Sequence, residues 1–241
     1  MVVTTPAFVF SKIKYGDADL IVTCFTKSDG IKTYLLRGVL KSKKGKLRAA
    51  LFQPLTYLDL EAFHKNKGTL ERIKEAKVGI PYQSLHTDVV KGSLVLFLAE
   101  VLQYAIQEEE ANDPLFSFLT QSVIWLDSNN DHIADFHILF LLKLTTYLGF
   151  YPDASNSDLP YFNLVEGNFQ GTPFGDKVQR KETITAFKLF FGINFDALSQ
   201  IKLSKAVRLE VLNLLLLYYQ LHLQGFKKPK SLEVLQQLYN H

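Results

Sequence analysis

The spacing of apolar residues changes near Pro81, and this change limits the folds that the chain can adopt. Before Pro81, short apolar runs separated by turn residues predict five β-strands within the first 80 residues. After it, apolar residues recur at the spacing of α-helices. Strands followed by helices predict an α+β protein with two domains, 1–80 and 81–241.

Turn residues locate the strands of the first domain. Ser28-Asp29-Gly30 separates the apolar runs Leu20–Phe25 and Ile31–Leu36, a pattern typical of a hairpin. The other predicted strands are Phe8–Lys14, Leu55–His64 and Leu70–Val78, the last of which also has a partly helical pattern. Five strands joined by short turns favour a barrel of the oligonucleotide-binding (OB) type.

The second domain is predicted to be helical with one irregular insertion. Helices are predicted over 85–105, 114–125, 131–148, 182–191, 195–200, 204–223 and 229–239. The run Val211–Tyr219 is apolar almost all round, which favours the centre of a bundle. Residues 153–181 are rich in glycine and have little periodicity, so we expect an irregular excursion there.

The charge of the chain is divided unevenly between the two domains. The net charge is only +3, but residues 1–80 carry 15 Lys and Arg against 7 Asp and Glu. Residues 81–241 carry 12 against 17. A polyanionic partner is therefore expected to meet the first domain.

The segment Arg37–Arg48 concentrates this charge, with six basic residues, two glycines and no acidic residue between predicted strands. A basic loop on a small barrel suits nucleic acid, because Lys and Arg neutralise phosphates without fixed geometry. A solvated surface loop is the alternative. The candidate DNA-binding residues are Arg37, Lys41, Lys43, Lys44, Lys46 and Arg48, extended by Lys12, Lys14, Lys65 and Lys67.

Aromatic side chains in the first domain could stack on nucleobases. The candidates are Tyr15, Phe25, Tyr34, Phe52 and Tyr57, and for each of them a place in the core is the alternative.

Several other functions lack their sequence signals. The single cysteine, Cys24, lies in an apolar strand and excludes an internal disulfide and a multi-cysteine zinc site. No phosphate-binding loop, nucleophile elbow or zinc-protease motif occurs, so we expect neither an enzyme nor a cofactor. Asp131, Asp135 and two nearby histidines do not align as metal ligands. The N-terminus does not resemble a signal peptide, and Val211–Leu223 is too short to span a bilayer, so a cytoplasmic location is expected.

Three blocks of the sequence resemble the bacterial DNA repair and recombination protein family RecO. The first runs from Tyr15 to Val22 and continues through Phe25-Thr26, Gly30, Arg37-Gly38 and Phe52–Leu55. The second is Leu148–Pro152, and the third is His222–Leu232. Their order and spacing across the whole chain make the resemblance specific.

The resemblance implies an OB barrel followed by a helical domain, and a role as a recombination mediator. Such a protein would bind single- and double-stranded DNA, anneal complementary strands, and help RecA load onto strands coated by the single-strand-binding protein SSB. The implied partners are RecR and the acidic C-terminal tail of SSB. A basic rim beside the helix 204–223 could receive that tail, with candidates Lys205, Arg208, Lys227, Lys228 and Lys230.

The sequence departs from the family at one place. Many members carry a four-cysteine zinc site after the second block, whereas residues 153–181 contain no cysteine. We therefore expect no zinc, and a finger-like remnant in which Tyr161, Phe162, Phe169 and Phe174 pack where the metal would be. Two alternatives to the DNA mediator stay open: an adaptor for acidic peptide tails, and an RNA-binding OB protein.

Overall fold

The structure is a computed structural model that describes residues 1–41, 47–65, 67–173 and 180–239. It divides into two compact units, Met1–Ile124 and Trp125–His241. The predicted border between residues 80 and 81 lies just after the last barrel strand. The first unit continues beyond that border through one helix and most of a second.

Five antiparallel strands build the first unit in the order β3-β2-β1-β4-β5. They are β1 Val2–Tyr15, β2 Asp19–Thr26, β3 Gly30–Leu36, β4 Tyr57–Phe63 and β5 Arg72–Val78. A parallel bridge between Tyr34 and Glu71 joins the two edge strands. There Glu71 N–H donates to Thr33 O at 2.8 Å, and Leu35 N–H donates to Glu71 O at 3.0 Å. The sheet is thereby closed into the predicted OB barrel, and the α+β class is confirmed.

Successive side chains of a β-strand point to opposite faces of the sheet. Every second side chain of each strand therefore fills the interior of the barrel. Val22, Cys24 and Tyr34 are buried among residues from all five strands. The burial predicted for Cys24 is confirmed, and it raises the pKa of the thiol. Tyr34 occupies the core, so it is not available as a stacking platform.

Part of the outer face of the barrel is also covered. Phe8 and Phe25 are direct partners on β1 and β2, and both rings approach Phe116, at 5.3 and 5.9 Å between centroids. Phe116 belongs to α2, which follows α1 in the same unit. The remaining outer surface of the strands is where a ligand can reach the sheet.

The described helices are α1 Val89–Ala105, α2 Asp113–Ser128, α3 Phe136–Tyr147, α4 Lys181–Lys188, α5 Lys205–His222 and α6 Leu232–Tyr239. The third helix begins five residues later than predicted, because a 3-10 turn at Ile133–Asp135 precedes it. Every residue of α3 from Phe136 to Leu142 is buried. In α5, Leu217 and Leu221 are exposed, so α3 and not α5 is the most enclosed helix of the second unit.

The irregular excursion contains a short hairpin of β6 Tyr161–Asn163 and β7 Asn168–Gln170. Across the ranges given above, no helix combines the length and the apolarity that a bilayer crossing requires.

Candidate nucleic-acid interface

A cleft opens in the barrel wall between β3 and β5. The two strands are bridged at Tyr34 and Glu71, and the cleft lies beside this bridge with a volume of about 600 Å³. Its lining comprises Leu35, Leu36, Arg37, Val39, Leu47, Phe63, Lys65, Leu70, Glu71, Arg72, Ile73 and Lys74. OB barrels bind their ligands on the face of strands 2 and 3, flanked by the β1–β2 and β4–β5 loops, and this cleft adjoins β3 and the β4–β5 loop.

Four cationic side chains line the cleft. Arg37 and Lys65 were predicted from the sequence, whereas Arg72 and Lys74 were not. Lys74 is paired with Glu61 at 2.5 Å, but neither arginine has an ion pair with any residue in the described ranges. No described carboxylate therefore engages either guanidinium group, and the planar shape of these groups matches phosphate oxygens.

Polar contacts fix the loop that carries Lys65. The nearly buried carboxylate of Glu71 accepts the Lys65 backbone N–H at 2.9 and 3.0 Å. The His64 ring contacts Tyr34 Oη at 2.8 Å and Asp29 Oδ2 at 2.9 Å. Burial raises the pKa of Tyr34, so its hydroxyl stays protonated. These contacts hold one wall of the cleft in place before a ligand arrives.

The predicted residues Lys12 and Lys14 lie on a different part of the barrel. A β-bulge between Val9 and Ser11 shifts the register of β1, so that Lys12 pairs with Val22 and Lys14 with Leu20. Both lysines are exposed at the free end of the β1–β2 hairpin and do not line the cleft. A polyanion that contacts both the cleft and these two lysines would have to cross β2, which lies between β1 and β3.

The predicted basic loop is described only at its two ends. Lys41 and Arg48 are exposed there, and Lys67 is exposed in the β4–β5 loop. Lys43, Lys44 and Lys46 lie outside the described residues.

Most of the predicted stacking residues lie in the core. Phe25, Tyr34 and Phe52 are buried, and Tyr57 is half-buried beside Phe8. Tyr15 alone is largely exposed, on the β1–β2 hairpin. The exposed aromatic at the cleft is Phe63, which sequence reasoning missed because the apolar run 55–64 does not show which side of the sheet each residue faces.

A second candidate site lies on the helical unit. A cavity of about 320 Å³ is lined by Lys205, Arg208 and the apolar side chains of Leu209, Leu212 and Leu235, with His137 and Gln236. Lys227, Lys228 and Lys230, the other predicted tail-binding residues, follow the opposite end of α5 and do not line this cavity.

An ion pair already engages one of these cations. Arg208 donates to both carboxylate oxygens of Asp135, at 2.7 and 3.3 Å. Burial and the neighbouring Arg208 charge lower the pKa of His137 to about 3. Because Arg208 is paired with Asp135 and His137 is neutral near pH 7, Lys205 is the better candidate at the cavity to attract an acidic ligand.

The β6–β7 hairpin is packed by aromatic rings. Phe162 and Phe169 lie 5.0 Å apart, and Phe187 of α4 approaches Phe162 at 5.2 Å. Tyr161 is half-buried, and Phe174 lies outside the described residues. Among the residues that the structure describes, no three His, Cys, Asp or Glu side chains gather closely enough to hold a metal ion.

Comparison with known proteins relates the chain to one family over almost its whole length. Residues 1–82 match the profile described as Recombination protein O N terminal, and residues 86–233 match Recombination protein O C terminal. The chain is 51% identical over 239 residues to DNA repair protein RecO of Christiangramia forsetii, which covers 99% of this chain and 100% of the relative. It is 47% identical over 240 residues to RecO of Flavobacterium psychrophilum, with full coverage of both. RecO of Bacteroides fragilis is 34% identical over 244 residues, again with full coverage.

Proposed function

Because this chain belongs to the RecO family of DNA repair and recombination proteins, we propose that it is a non-enzymatic recombination mediator. In this role it binds single- and double-stranded DNA and anneals complementary strands. It also helps RecA load onto SSB-coated DNA, together with RecR, at the nucleoid.

The observation that carries this proposal is the cationic cleft of the barrel. Arg37, Lys65, Arg72 and Lys74 converge there from three different segments of the chain. Several cations on one surface suit a polyanionic backbone, because each neutralised phosphate releases counterions. The solvated-loop alternative explains the loop Arg37–Arg48 but not the cations that β5 adds.

Charge reversal tests the cleft. We expect Arg37→Glu/Lys65→Glu to weaken the binding of single and double strands at least about tenfold at 50 mM salt, since two attractive contacts become repulsive. Fluorescence anisotropy at several salt concentrations measures the effect. The matched control is Lys181→Glu/Lys202→Glu on the helical unit, which changes the net charge equally. Equal affinity of the two double variants would contradict the assignment.

A second function is favoured by the cavity between α5 and α6, which combines Lys205 with apolar walls. We propose that it receives the acidic C-terminal tail of SSB, whose charge would meet Lys205 while its apolar end enters the cavity. We expect Lys205→Ala to weaken tail-peptide binding in calorimetric titration by about three- to tenfold. Lys228→Ala, which removes an exposed lysine outside the cavity, is the control.

A further inference from the structure

We propose that the cleft between β3 and β5 receives one unpaired nucleotide, with the base against Phe63 and the phosphate against Arg37 and Arg72. The inference rests on the proposed DNA-binding function and adds the form of DNA that this site selects.

Phe63 stands on the outer face of the barrel. It is the last residue of β4, and its direct partners are Arg72 on β5 and Val2 on β1. Directly opposite residues of antiparallel strands project from the same face of the sheet. Its neighbour Ala62 points into the core, while the Phe63 side chain is 38% exposed at the edge of the cleft. An aromatic ring therefore lies beside an arginine that has no ion pair among the described residues.

The cleft combines an apolar floor with a cationic rim. Leu36, Val39 and Ile73 are buried side chains that line it, and Arg37 and Arg72 stand at its rim. An inorganic anion would leave the apolar floor unused, and an apolar ligand would leave the arginines without a partner. A nucleotide carries both an apolar face and a charged phosphate, and about 600 Å³ lies in the range of sites for small organic ligands.

The carboxylate of Glu71 also lines the cleft and must be reconciled with an anionic ligand. Its oxygens accept the Lys65 backbone N–H at 2.9 and 3.0 Å, so they are directed at the loop. The phosphate is expected at the rim, beside the exposed Arg37 and Arg72. The negative charge of Glu71 thus favours the base, and not the phosphate, as the inserted group.

Only an unpaired strand can place a base in this site. The bases of a duplex are stacked and paired, so a duplex offers the cleft its phosphates alone. A single strand can turn one base against Phe63, because every base has a π-face that stacks without sequence preference. The cleft should therefore add affinity for single strands that duplexes do not gain.

The test compares binding of oligo(dT) and of a duplex of equal length by fluorescence anisotropy. We expect Phe63→Ala and Phe63→Leu to weaken oligo(dT) binding about 5- to 150-fold, and duplex binding less than about twofold. Phe63→Tyr, which keeps the ring, should retain single-strand affinity. Leu96→Ala removes a comparably exposed apolar side chain from α1 and should leave both affinities unchanged.

The two variants keep the test valid if one of them unfolds, because Phe63→Leu preserves apolar cover over the strand. Unchanged oligo(dT) affinity of a folded Phe63→Leu would overturn the inference, and so would an equal loss for both forms of DNA. Failure of the proposed function has a different result, since the unmodified protein would then bind neither form.

Discussion

Gly30 shows how one residue fixes the contact between β3 and the segment after α1. Its φ is +61°, and an added Cβ would lie 2.5 Å from Glu110 O and 2.7 Å from Glu110 N. Next to it, the Ile31 N–H donates to Glu108 O at 2.9 Å, and Lys32 pairs with Glu109 at 2.9 Å. The acidic run 108–110 therefore docks on the barrel through a backbone carbonyl and the Glu109 carboxylate.

We expect Gly30→Ala to lower the free energy of unfolding of the first unit by about 3 kcal/mol. Alanine is strained at this positive φ, and its Cβ would also clash with the backbone of Glu110, so the two costs add. Gly16 is the matched control, because its φ is +58° and an added Cβ would meet nothing within 4 Å. Gly16→Ala should cost only about 1 kcal/mol. Urea unfolding followed by circular dichroism measures both variants, and equal losses would show that the contact with Glu110 does not matter.

His137 makes the stability of the second unit depend on pH. Its pKa is lowered from 6.5 to about 3 in the folded protein by burial and by Arg208. Between these two values the unfolded chain binds a proton that the folded unit excludes, so stability falls as the pH drops below about 6.5. The loss from this group between pH 7 and pH 5 should be about 2 kcal/mol.

Fluorescence of Trp125, the single tryptophan, reports unfolding of this unit during urea titration at the two pH values. We expect His137→Leu to lose less stability than the unmodified protein on going from pH 7 to pH 5. Identical pH dependence of the two proteins would mean that His137 is protonated at an ordinary pKa.

At the scale of elements, the β6–β7 hairpin is stabilised by packing. Phe169 is buried against Phe162, Phe187 and Phe191, with ring centroids 5.0, 6.4 and 5.6 Å away. We expect Phe169→Ala to lower the free energy of unfolding by about 3 kcal/mol in the Trp125 assay. Val165→Ala, at an exposed position of the same hairpin, should change it by less than about 0.5 kcal/mol.

We further propose that this hairpin holds no zinc. Protein purified without an affinity tag should contain less than about 0.1 zinc per chain by elemental analysis. Its unfolding midpoint should not change after incubation with EDTA. Stoichiometric zinc would contradict the proposal and would require ligands from outside the cluster of aromatic rings.

The elements themselves were largely predictable from sequence, because turn residues and apolar periodicity act locally. Ser28-Asp29-Gly30 located the β2–β3 turn, and the change at Pro81 separated strands from helices. The start of α3 was not predictable, since His132 adopts a left-handed conformation and Asp135 is held by Arg208 from α5. That ion pair joins residues 73 positions apart, and no local pattern shows it.

The site was only partly predictable for the same reason. Charge density identified Arg37 and Lys65, but Arg72 lies in a strand whose alternating charges resemble a solvated helix. Phe63 became recognisable only when the pairing of β4 with β5 showed which face it occupies. The bulge in β1 likewise shifts the pairing of Lys12 and Lys14 with β2, and no local pattern shows that shift. Register and closure of the barrel are non-local, so the sequence alone does not determine them.

At the scale of the whole molecule, charge is distributed unevenly along the chain. The first 80 residues have 8 more basic than acidic residues, and the remaining 161 have 5 more acidic than basic. This asymmetry should direct DNA to the barrel and leave the helical unit for protein partners. If the proposed mediator role holds, annealing would come from holding two strands close together and should need no nucleotide.

The most direct measurement of the central claim is annealing of complementary single strands coated with SSB, without ATP. We expect the unmodified protein to accelerate annealing. The loop-reversed variant, with Lys41, Lys43, Lys44 and Lys46 changed to Glu, should lose most of this acceleration, because four attractive charges become repulsive. Equal annealing rates for the two proteins, or annealing that requires ATP, would contradict the account.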